Sequence, residues 1–278
     1  MAIKLDLVGK KSAPLTHKYS WRDTVLYALG VGAQADEIDY LFEMNGPKVL
    51  PTFAVVPSFN ALIAVTSELN VNPMMILHGE QGITLHRPIP AEGTLTTVAE
   101  VTGIYDKGKG ALAVVIARTT DEKNEPLFDN QFSIFVRGEG GFGGERGPEA
   151  TKADPPAGKA PDFTHTQATL PTQALLYRLS GDLNPLHASA QFAKMGGFDR
   201  PILHGLCSYG HAGRAVLQHA AGGDPKRFKS FFARFSGVVF PGDTLTTEGW
   251  QISPGKYVVS TKTQDGKQVL SNAIAEIG

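Results

Sequence analysis

A carboxylate and an imidazole lie five positions apart in the short segment GDLNPLH, at Asp182 and His187. Asn184 and Pro185 predict the start of a helix between them, because Asn caps helix N-termini and Pro is favoured at the first helical position. Gly181 permits a turn just before Asp182. The backbone therefore reverses between the two side chains, which can then face one point. An Asp and a His that share one water molecule are suited to general acid–base catalysis near neutral pH.

A second candidate element is the dipeptide His204-Gly205, at the start of a long apolar helix predicted for residues 205–221. The first N–H groups of a helix have no intrahelical acceptor and lie at the positive end of the helix dipole. Glycine lets a ligand approach such a group closely, so the N–H of Gly205 could stabilise an oxyanion. We interpret His204 as a positioning residue and Cys207 as a small core residue of the same helix.

The spacing of possible ligands does not indicate a metal site. His204, His211 and His219 are separated by seven and eight residues, whereas two ligands on one helix need a spacing of three or four. Cys207 is the single cysteine of the chain. This excludes a disulfide within the chain and any zinc or iron–sulfur site built from several cysteines.

Composition and charge exclude several classes of partner. The 278 residues include 26 basic and 27 acidic side chains, a net charge of −1 at pH 7, which argues against nucleic acid and against a polybasic membrane-binding surface. The longest uninterrupted apolar run, residues 111–117, is far shorter than a membrane span. Residues 1–20 contain no apolar signal segment. We therefore expect a cytoplasmic protein without a membrane partner.

Residues 138–162 are rich in Gly, Pro and charge and predict a linker between two domains, 1–137 and 163–278. These two segments look like copies of one unit, because several landmarks recur at one constant spacing of 150 positions (177 − 27 = 150). We call this spacing the repeat offset. The matched pairs are Tyr27-Ala28-Leu29-Gly30 with Tyr177-Arg178-Leu179-Ser180, Pro51 with Pro201, and Thr94-Leu95-Thr96-Thr97 with Thr244-Leu245-Thr246-Thr247. A constant offset predicts a tandem duplication.

Each half is predicted to contain a short helix, a longer apolar helix and a meander of antiparallel strands. The helices are expected at residues 21–29 and 58–69 in the first half, and at 172–179 and 205–221 in the second. The strands are expected at residues 82–87, 95–105, 111–119, 130–136, 229–239, 244–253, 257–263 and 269–276. A sheet wrapped around one long apolar helix buries that helix, so we expect an α+β fold with two such units side by side.

The segment from Ser180 to His187, followed by Pro201-Ile202-Leu203-His204-Gly205, resembles the hydratase 2 signature of the MaoC-like family. Members of this family are double hot-dog (R)-specific 2-enoyl-CoA hydratases, including the hydratase unit of peroxisomal multifunctional enzymes. The resemblance covers nearly the whole chain, through further landmarks at residues 27–33, 50–53, 77–81, 106–108, 140–144, 233–235 and 241–245. It implies a double hot-dog fold and, as is common in the family, a homodimer.

The resemblance also implies roles for individual residues. It makes Asp182 and His187 catalytic and lets Asn184 orient the water, while the N–H of Gly205 holds the thioester oxygen. The first half is expected to lack the acid–base pair and to hold the acyl tail, since Gly32 stands where the repeat would place Asp182. Contacts to the CoA thioester are expected from His78, Gly79, Lys107, Leu183, Pro185, Leu186 and Phe235. No metal is expected, and CoA is part of the substrate, so no separate cofactor is expected either.

The implied reaction is the reversible hydration of trans-2-enoyl-CoA to (3R)-3-hydroxyacyl-CoA. One alternative is a dehydratase of the same fold that acts on acyl-carrier-protein thioesters or on bulky substrates of the sterol side-chain type. A thioesterase of this fold would instead release a free thiol. A module that only binds acyl thioesters is the non-enzymatic alternative, in which Asp182 would merely form a turn. The intact pair of Asp182 and His187 favours an enzyme.

Overall fold

One antiparallel sheet of ten strands carries both halves of the chain in the computed structural model, which describes residues 3–149 and 152–278. The strands are β1 (Leu15–Tyr19), β2 (Ile76–Leu85), β3 (Gly93–Asp106), β4 (Gly110–Thr120), β5 (Pro126–Arg137), β6 (Phe163–Ala168), β7 (Phe228–Phe235), β8 (Thr244–Ser253), β9 (Lys256–Thr263) and β10 (Gln268–Ile277). The α-helices of the described ranges are α1 (Trp21–Gly30), α2 (Val55–Thr66), α3 (Gln173–Tyr177), α4 (Ala190–Met195) and α5 (Gly205–His219).

The strand order along the sheet is β1-β3-β4-β5-β2-β7-β10-β9-β8-β6. Read inward from its two edges, the order is the same in both halves, with β1 matching β6 and β2 matching β7. The halves meet where β2 and β7 pair antiparallel, with Gly82 opposite Phe232. The long helices α2 and α5 each pack against the sheet of their own half. The predicted α+β fold of two tandem hot-dog units is therefore confirmed.

The repeat offset is also a structural equivalence. The helix α2 begins at Val55 and α5 begins at Gly205, which differ by the same spacing as the sequence landmarks. The rings of Tyr27 and Tyr177, a pair with this spacing too, lie 6.1 Å apart where α1 and α3 meet. Each residue in the loops and central helix of one half can thus be assigned a counterpart in the other.

Some predicted boundaries are wrong. The strand β2 begins at Ile76 rather than at residue 82. The helix expected to begin at Asn184 is a single 3₁₀ turn, Pro185–His187, because Ser189 adopts an extended conformation and caps the separate helix α4. The edge strands β1 and β6 were not predicted, since each is short and alternates between half-buried and exposed residues along most of its length.

The Gly- and Pro-rich segment 138–162 is fastened to both halves over its described part. The carboxylate of Asp106, at the end of β3, accepts hydrogen bonds from the N–H groups of Gly141 and Gly143 at 2.9 and 2.8 Å. Near the other end, the indole N–H of Trp250 donates to the carbonyl of Lys159 at 3.0 Å. The segment therefore packs along the sheet, and the division of the chain at its ends stays a prediction.

One helical stretch within the described residues, Pro51–Leu69, is long and apolar enough to cross a membrane by length and composition, with a mean hydropathy of 1.3. It is not an uninterrupted apolar run, because Ser58 and Asn60 lie within it. The stretch consists of α2 and the flanking 3₁₀ turns. In its most apolar window 56% is buried inside the protein, as expected of a core helix.

A buried ion pair joins the two halves. The side chain of Arg214 in α5 is 1% exposed, and its guanidinium contacts the carboxylate of Glu37, which is 10% exposed. The amide of Gln218 donates to the same carboxylate, and Nε of Arg214 donates to the carbonyl of Val31 at 3.3 Å. These contacts fasten a loop of the first half to the central helix of the second.

We expect Glu37→Gln to lower the free energy of unfolding by about 3–5 kcal/mol, because it leaves the buried guanidinium of Arg214 without a counter-charge. The matched control is Asp39→Asn, which removes a carboxylate from the half-exposed pair with Lys48 and should have a much smaller effect, because water screens an exposed ion pair. Urea unfolding at pH 7 measures both effects. Equal losses in the two variants would show that the buried pair of Glu37 and Arg214 contributes no more to the free energy of unfolding than the half-exposed pair does.

Candidate active site

The loop that carries Asp182 and His187 is held by its own polar groups. Gly181 has a φ of 120°, a conformation that favours glycine. The carboxylate of Asp182 accepts the N–H of Asn184 at 3.2 Å, and the side-chain oxygen of Asn184 accepts the N–H of Leu186 at 3.0 Å. The loop curls as a result, and a carboxylate oxygen of Asp182 lies within 4.8 Å of a ring nitrogen of His187.

The tautomer of His187 is set by the backbone. Its Nδ1 lies 2.9 Å from the carbonyl oxygen of Ile202, which can only accept, so Nδ1 carries the proton. Nε2 of the neutral ring is then left with a lone pair. Burial lowers the pKa of His187 and raises the pKa of Asp182. The imidazole is therefore unprotonated near neutral pH, and the carboxylate is a stronger base than one in water.

His204 forms a cluster with these two residues. One carboxylate or imidazole atom from each of Asp182, His187 and His204 lies within 4.8 Å of the other two, a separation that a metal ion could bridge. The rings of His187 and His204 are stacked, however, with centroids 3.7 Å apart and 29° between their planes. The lone pairs of stacked rings lie in two separate, nearly parallel planes, which does not suit their convergence on one ion in tetrahedral coordination. The arrangement is better suited to proton transfer than to coordination.

The N-terminus of α5 borders the same site. Gly205 is the first residue of this 15-residue helix, and its backbone is exposed. A Cβ at this position would lie 3.1 Å from the ring of Phe235, so any other residue would crowd the site. The N–H of Gly205 has no acceptor within the helix and lies at the positive end of the dipole. It can therefore donate to an oxyanion.

A cavity of about 840 Å³ connects these groups to the first half of the chain. Asp182, His187 and Gly205 line it from the second half. The first half contributes a mostly apolar wall that comprises Phe59, Leu62, Ile63, Thr66, Pro73, Ile76, Leu77, His78, Gly79, Ile134 and Phe135. A helix rises about 1.5 Å per residue, so the wall from Phe59 to Thr66 extends about 10 Å along α2. Neither half alone encloses this cavity.

The structure brings most of the predicted substrate contacts to this cavity. The predicted contacts that line it are His78, Gly79, Leu183, Leu186 and Phe235. Asn184, which is predicted to orient the water, lines it too. Pro185 and Lys107 are not among the lining residues. Lys107 lies in the turn between β3 and β4, where its ammonium donates to the carbonyl of Arg146. Its predicted contact with CoA stays a prediction that the cavity does not support.

His78 contributes a polar atom to the apolar wall. Its ring lies 5.0 Å from that of Phe235, edge to face. Burial lowers its pKa to about 4, so the ring is neutral near pH 7. Its Nε2 is buried and has no hydrogen-bond partner among the described residues. The ring therefore brings one polar atom without a described partner to the wall of the cavity.

The corresponding loop of the first half is filled. By the repeat offset, Gly32 corresponds to Asp182 and Glu37 to His187. A Cβ at Gly32 would lie 2.3 Å from the ring of His211 in α5. Gly32 has no side chain and Glu37 is held in its buried ion pair, so the loop of the first half has no equivalent of Asp182 and His187. The ring of His211 leaves no space for a substrate beside Gly32.

Two family models and several known proteins match the chain. Residues 17–138 match the MFE-2 hydratase 2 N-terminal domain, and residues 152–273 match the MaoC like domain. A probable enoyl-CoA hydratase 2 from Dictyostelium discoideum is 42% identical over 279 residues, which cover 98% of this chain and 95% of that protein. A 3-hydroxyacyl-thioester dehydratase Y from Mycobacterium tuberculosis is 42% identical over 287 residues, covering 100% and 98%. A MaoC-like dehydratase structure from Phytophthora capsici has a TM-score of 0.90 and 34% identity, covering 99% and 98%.

The chain belongs to the MaoC-like hydratase 2 family. It is a hydro-lyase of the hydratase and dehydratase class. Two features of this MaoC-like site were not predicted from its sequence: the carbonyl of Ile202 that fixes the tautomer of His187, and the stacking of His204 on the same ring. A main-chain acceptor leaves no side-chain signature, and a stack between residues on two separate segments depends on tertiary structure.

Three histidines of this family member with lowered pKa values predict a loss of stability in mild acid. Burial lowers the pKa of His78 to about 4 and the pKa values of His204 and His211 to about 3. In the unfolded chain the side chains of these histidines take up a proton near pH 6.5. As the pH falls below 6.5, the unfolded state binds protons that the native state does not, so the free energy of unfolding decreases by up to about 1.4 kcal/mol per pH unit for each histidine.

Urea unfolding at intervals between pH 7 and pH 5 measures this slope. The variant His211→Gln removes one of the three groups and should make the slope shallower. A free energy of unfolding that stays constant over this range would contradict the assignment of these histidines as buried and neutral.

Proposed function

We propose that the protein catalyses the reversible syn hydration of trans-2-enoyl-CoA to (3R)-3-hydroxyacyl-CoA. The observation that carries the proposal is that Asp182, a neutral His187 and the N-terminus of α5 meet at the wall of one largely apolar cavity. The pair supplies proton transfer, the helix N-terminus supplies an oxyanion donor, and the cavity accommodates an acyl chain. The CoA thioester is supported by the enoyl-CoA hydratase 2 relative, and the (3R) configuration by the family resemblance.

The first chemical requirement is activation of the substrate. In a trans-2-enoyl thioester the double bond is conjugated to the carbonyl, so the β-carbon becomes electrophilic when the carbonyl oxygen is polarised. The N–H of Gly205 would donate to that oxygen and stabilise the charge that develops on it. In other enzymes the loss of one such donor raises the barrier by about 3–4 kcal/mol, so this contribution can be large.

The second requirement is a water molecule that supplies both a hydroxyl group and a proton. Nε2 of His187 accepts a proton from the water, the water oxygen attacks the β-carbon, and the electron pair of the double bond moves towards the thioester. The α-carbon then takes the proton back from the imidazolium, which the carboxylate of Asp182 stabilises. Asn184 helps to orient the water. Since hydroxyl and proton come from one water on one face, the addition is syn.

The reverse reaction removes water from a 3-hydroxyacyl thioester by the same steps, which is consistent with the name of the dehydratase relative. The wall contributed by α2 accommodates the acyl tail, which gives the first half a role although it has no acid–base pair. The homodimer implied by the resemblance stays a prediction. The proposed reaction does not require it, because the site is built from residues of one chain.

We expect Asp182→Asn and His187→Ala each to lower kcat/KM at least about a hundredfold, because His187 carries the proton and Asp182 stabilises the imidazolium that forms. The assay follows the loss of the ultraviolet absorbance of the conjugated thioester, with chiral analysis of the product. The matched controls are Asp199→Asn and His86→Ala, which change exposed residues outside the cavity and should leave turnover unchanged.

The alternatives give different results in the same assay. Release of free thiol would indicate a thioesterase, and turnover restricted to acyl-carrier-protein substrates would change the substrate class. Binding of enoyl-CoA without turnover by the unaltered protein would indicate a binding module. Retention of activity in both Asp182→Asn and His187→Ala would contradict the assigned site.

The position of α2 predicts control of chain length. Thr66 lines the cavity about two helical turns from Phe59, which lies close to Asp182. We expect Thr66→Trp to lower kcat/KM for long-chain enoyl-CoA substrates at least about tenfold, with little effect on short ones, because the indole would fill the distal cavity. Ser67→Trp adds the same bulk at an exposed neighbour and serves as the control. Equal effects of Thr66→Trp on all chain lengths would show that the acyl chain takes another path.

A further inference from the structure

One buried residue of the active site, His204, takes no part in the proposed reaction. We propose that His204 is a positioning residue, which keeps the carboxylate, the imidazole and the oxyanion donor of the site in register while exchanging no proton itself. This inference rests on the proposed function, since it concerns the same active site.

His204 contacts all three catalytic elements. Its Nε2–H donates to the backbone carbonyl of Asp182 at 3.1 Å. Its ring stacks on His187 with a centroid distance of 3.7 Å. It is also the residue that caps α5, directly before Gly205. The hydrogen bond holds Asp182, the ring face holds His187, and the peptide bond holds Gly205. A shift of His204 would therefore move all three residues at once.

The position of His204 is fixed from its other side as well. Its ring lies 4.9 Å from the ring of Tyr177, and the residue as a whole is 1% exposed. The ring is therefore clamped between Tyr177 and His187. Because the ring has so little freedom to move, its hydrogen bond can hold the loop that carries Asp182 in one position.

The hydrogen bond also defines the protonation state of His204. A carbonyl can only accept, so Nε2 carries the proton and Nδ1 keeps a lone pair. Nδ1 is buried and has no partner among the described residues. The titratable and charged groups around the ring are His187, Asp182, Arg178 and Tyr177. Burial and the neighbouring His187 lower the pKa of His204 to about 3, so it stays neutral over the working range.

The first half supplies an internal comparison. By the repeat offset, the counterpart of His204 is Ala54, which likewise directly precedes its central helix and is fully buried. If a histidine were needed only to begin the central helix, the first half would be expected to have one as well. The histidine occurs only in the half that also has Asp182 and His187, which supports a role in positioning those two side chains rather than in forming the fold.

Two substitutions separate the two contacts. His204→Phe keeps an aromatic ring between Tyr177 and His187 but removes the N–H that holds Asp182. His204→Gln keeps an amide donor for Asp182 but removes the ring that shields His187 from water. The matched structural control is His211→Gln, a buried histidine of the same helix that contacts neither catalytic side chain. Asp182→Asn and His187→Ala are measured beside them on the full-length protein.

For His204→Phe we expect kcat to fall about tenfold with little change in KM, because a misplaced carboxylate impairs the transition state more than binding. For His204→Gln we expect a smaller loss of kcat. The acidic limb of its pH–rate profile should move to higher pH, since a more hydrated His187 regains a pKa nearer 6.5. His211→Gln should lower thermal stability and leave the pH–rate profile unchanged.

Wild-type kcat and pH–rate profiles in both His204 variants would overturn the inference. Losses of kcat that are no larger than the loss of folded protein, as expected of His211→Gln, would overturn it too. If Asp182→Asn and His187→Ala are also fully active, the proposed function fails instead. Should the His204 variants not fold, ¹⁵N NMR of the unaltered protein decides: a neutral Nε2–H ring from pH 5 to pH 9 is expected, and titration within that range would show that His204 exchanges protons.

Discussion

The loop after the first helix of each half lies against the central helix of the other half, and this constraint determines where a site can form. In the first half, the loop is fastened to α5 by the buried pair of Glu37 and Arg214. In the second half, the loop with Asp182 and His187 lies beside α2, which offers mainly apolar side chains such as Phe59 and Leu62 instead. One loop is therefore closed by polar contacts, and the other borders an open cavity.

The burial that shapes the site also sets its chemistry. Taking His187 out of water lowers its pKa and leaves Nε2 free to accept a proton, while the same burial makes the carboxylate of Asp182 a stronger base. The hydrogen bond from His187 to the carbonyl of Ile202 orients the ring without placing a charge next to it. The reactive arrangement thus costs stability, because a carboxylate and an imidazole are taken out of water.

Much of the fold and the approach of Asp182 to His187 could be predicted from the sequence, because both leave local signals. The repeat offset predicted two equivalent units, and the GDLNPLH segment predicted a turn between Asp182 and His187. The 3₁₀ turn that replaces the expected helix, and the inclusion of His78 in β2, depend on tertiary contacts. The stack of His204 on His187 and the filled loop of the first half depend on packing between distant segments, which periodicity and spacing do not encode.

The asymmetry between the halves can be traced to a few positions on the two central helices. Where α5 has His211 and Arg214, α2 has Ala61 and Ala64 at the repeat offset. The histidine and the arginine fill the space beside the loop of the first half, whereas the alanines have no side-chain group that could close the other loop in the same way. Restoring a carboxylate at Gly32 would not restore a second site, because its Cβ would collide with His211. A second site would require changes on both the loop and the helix, so the loss of one site and the retention of a wide cavity at the other follow from the same packing.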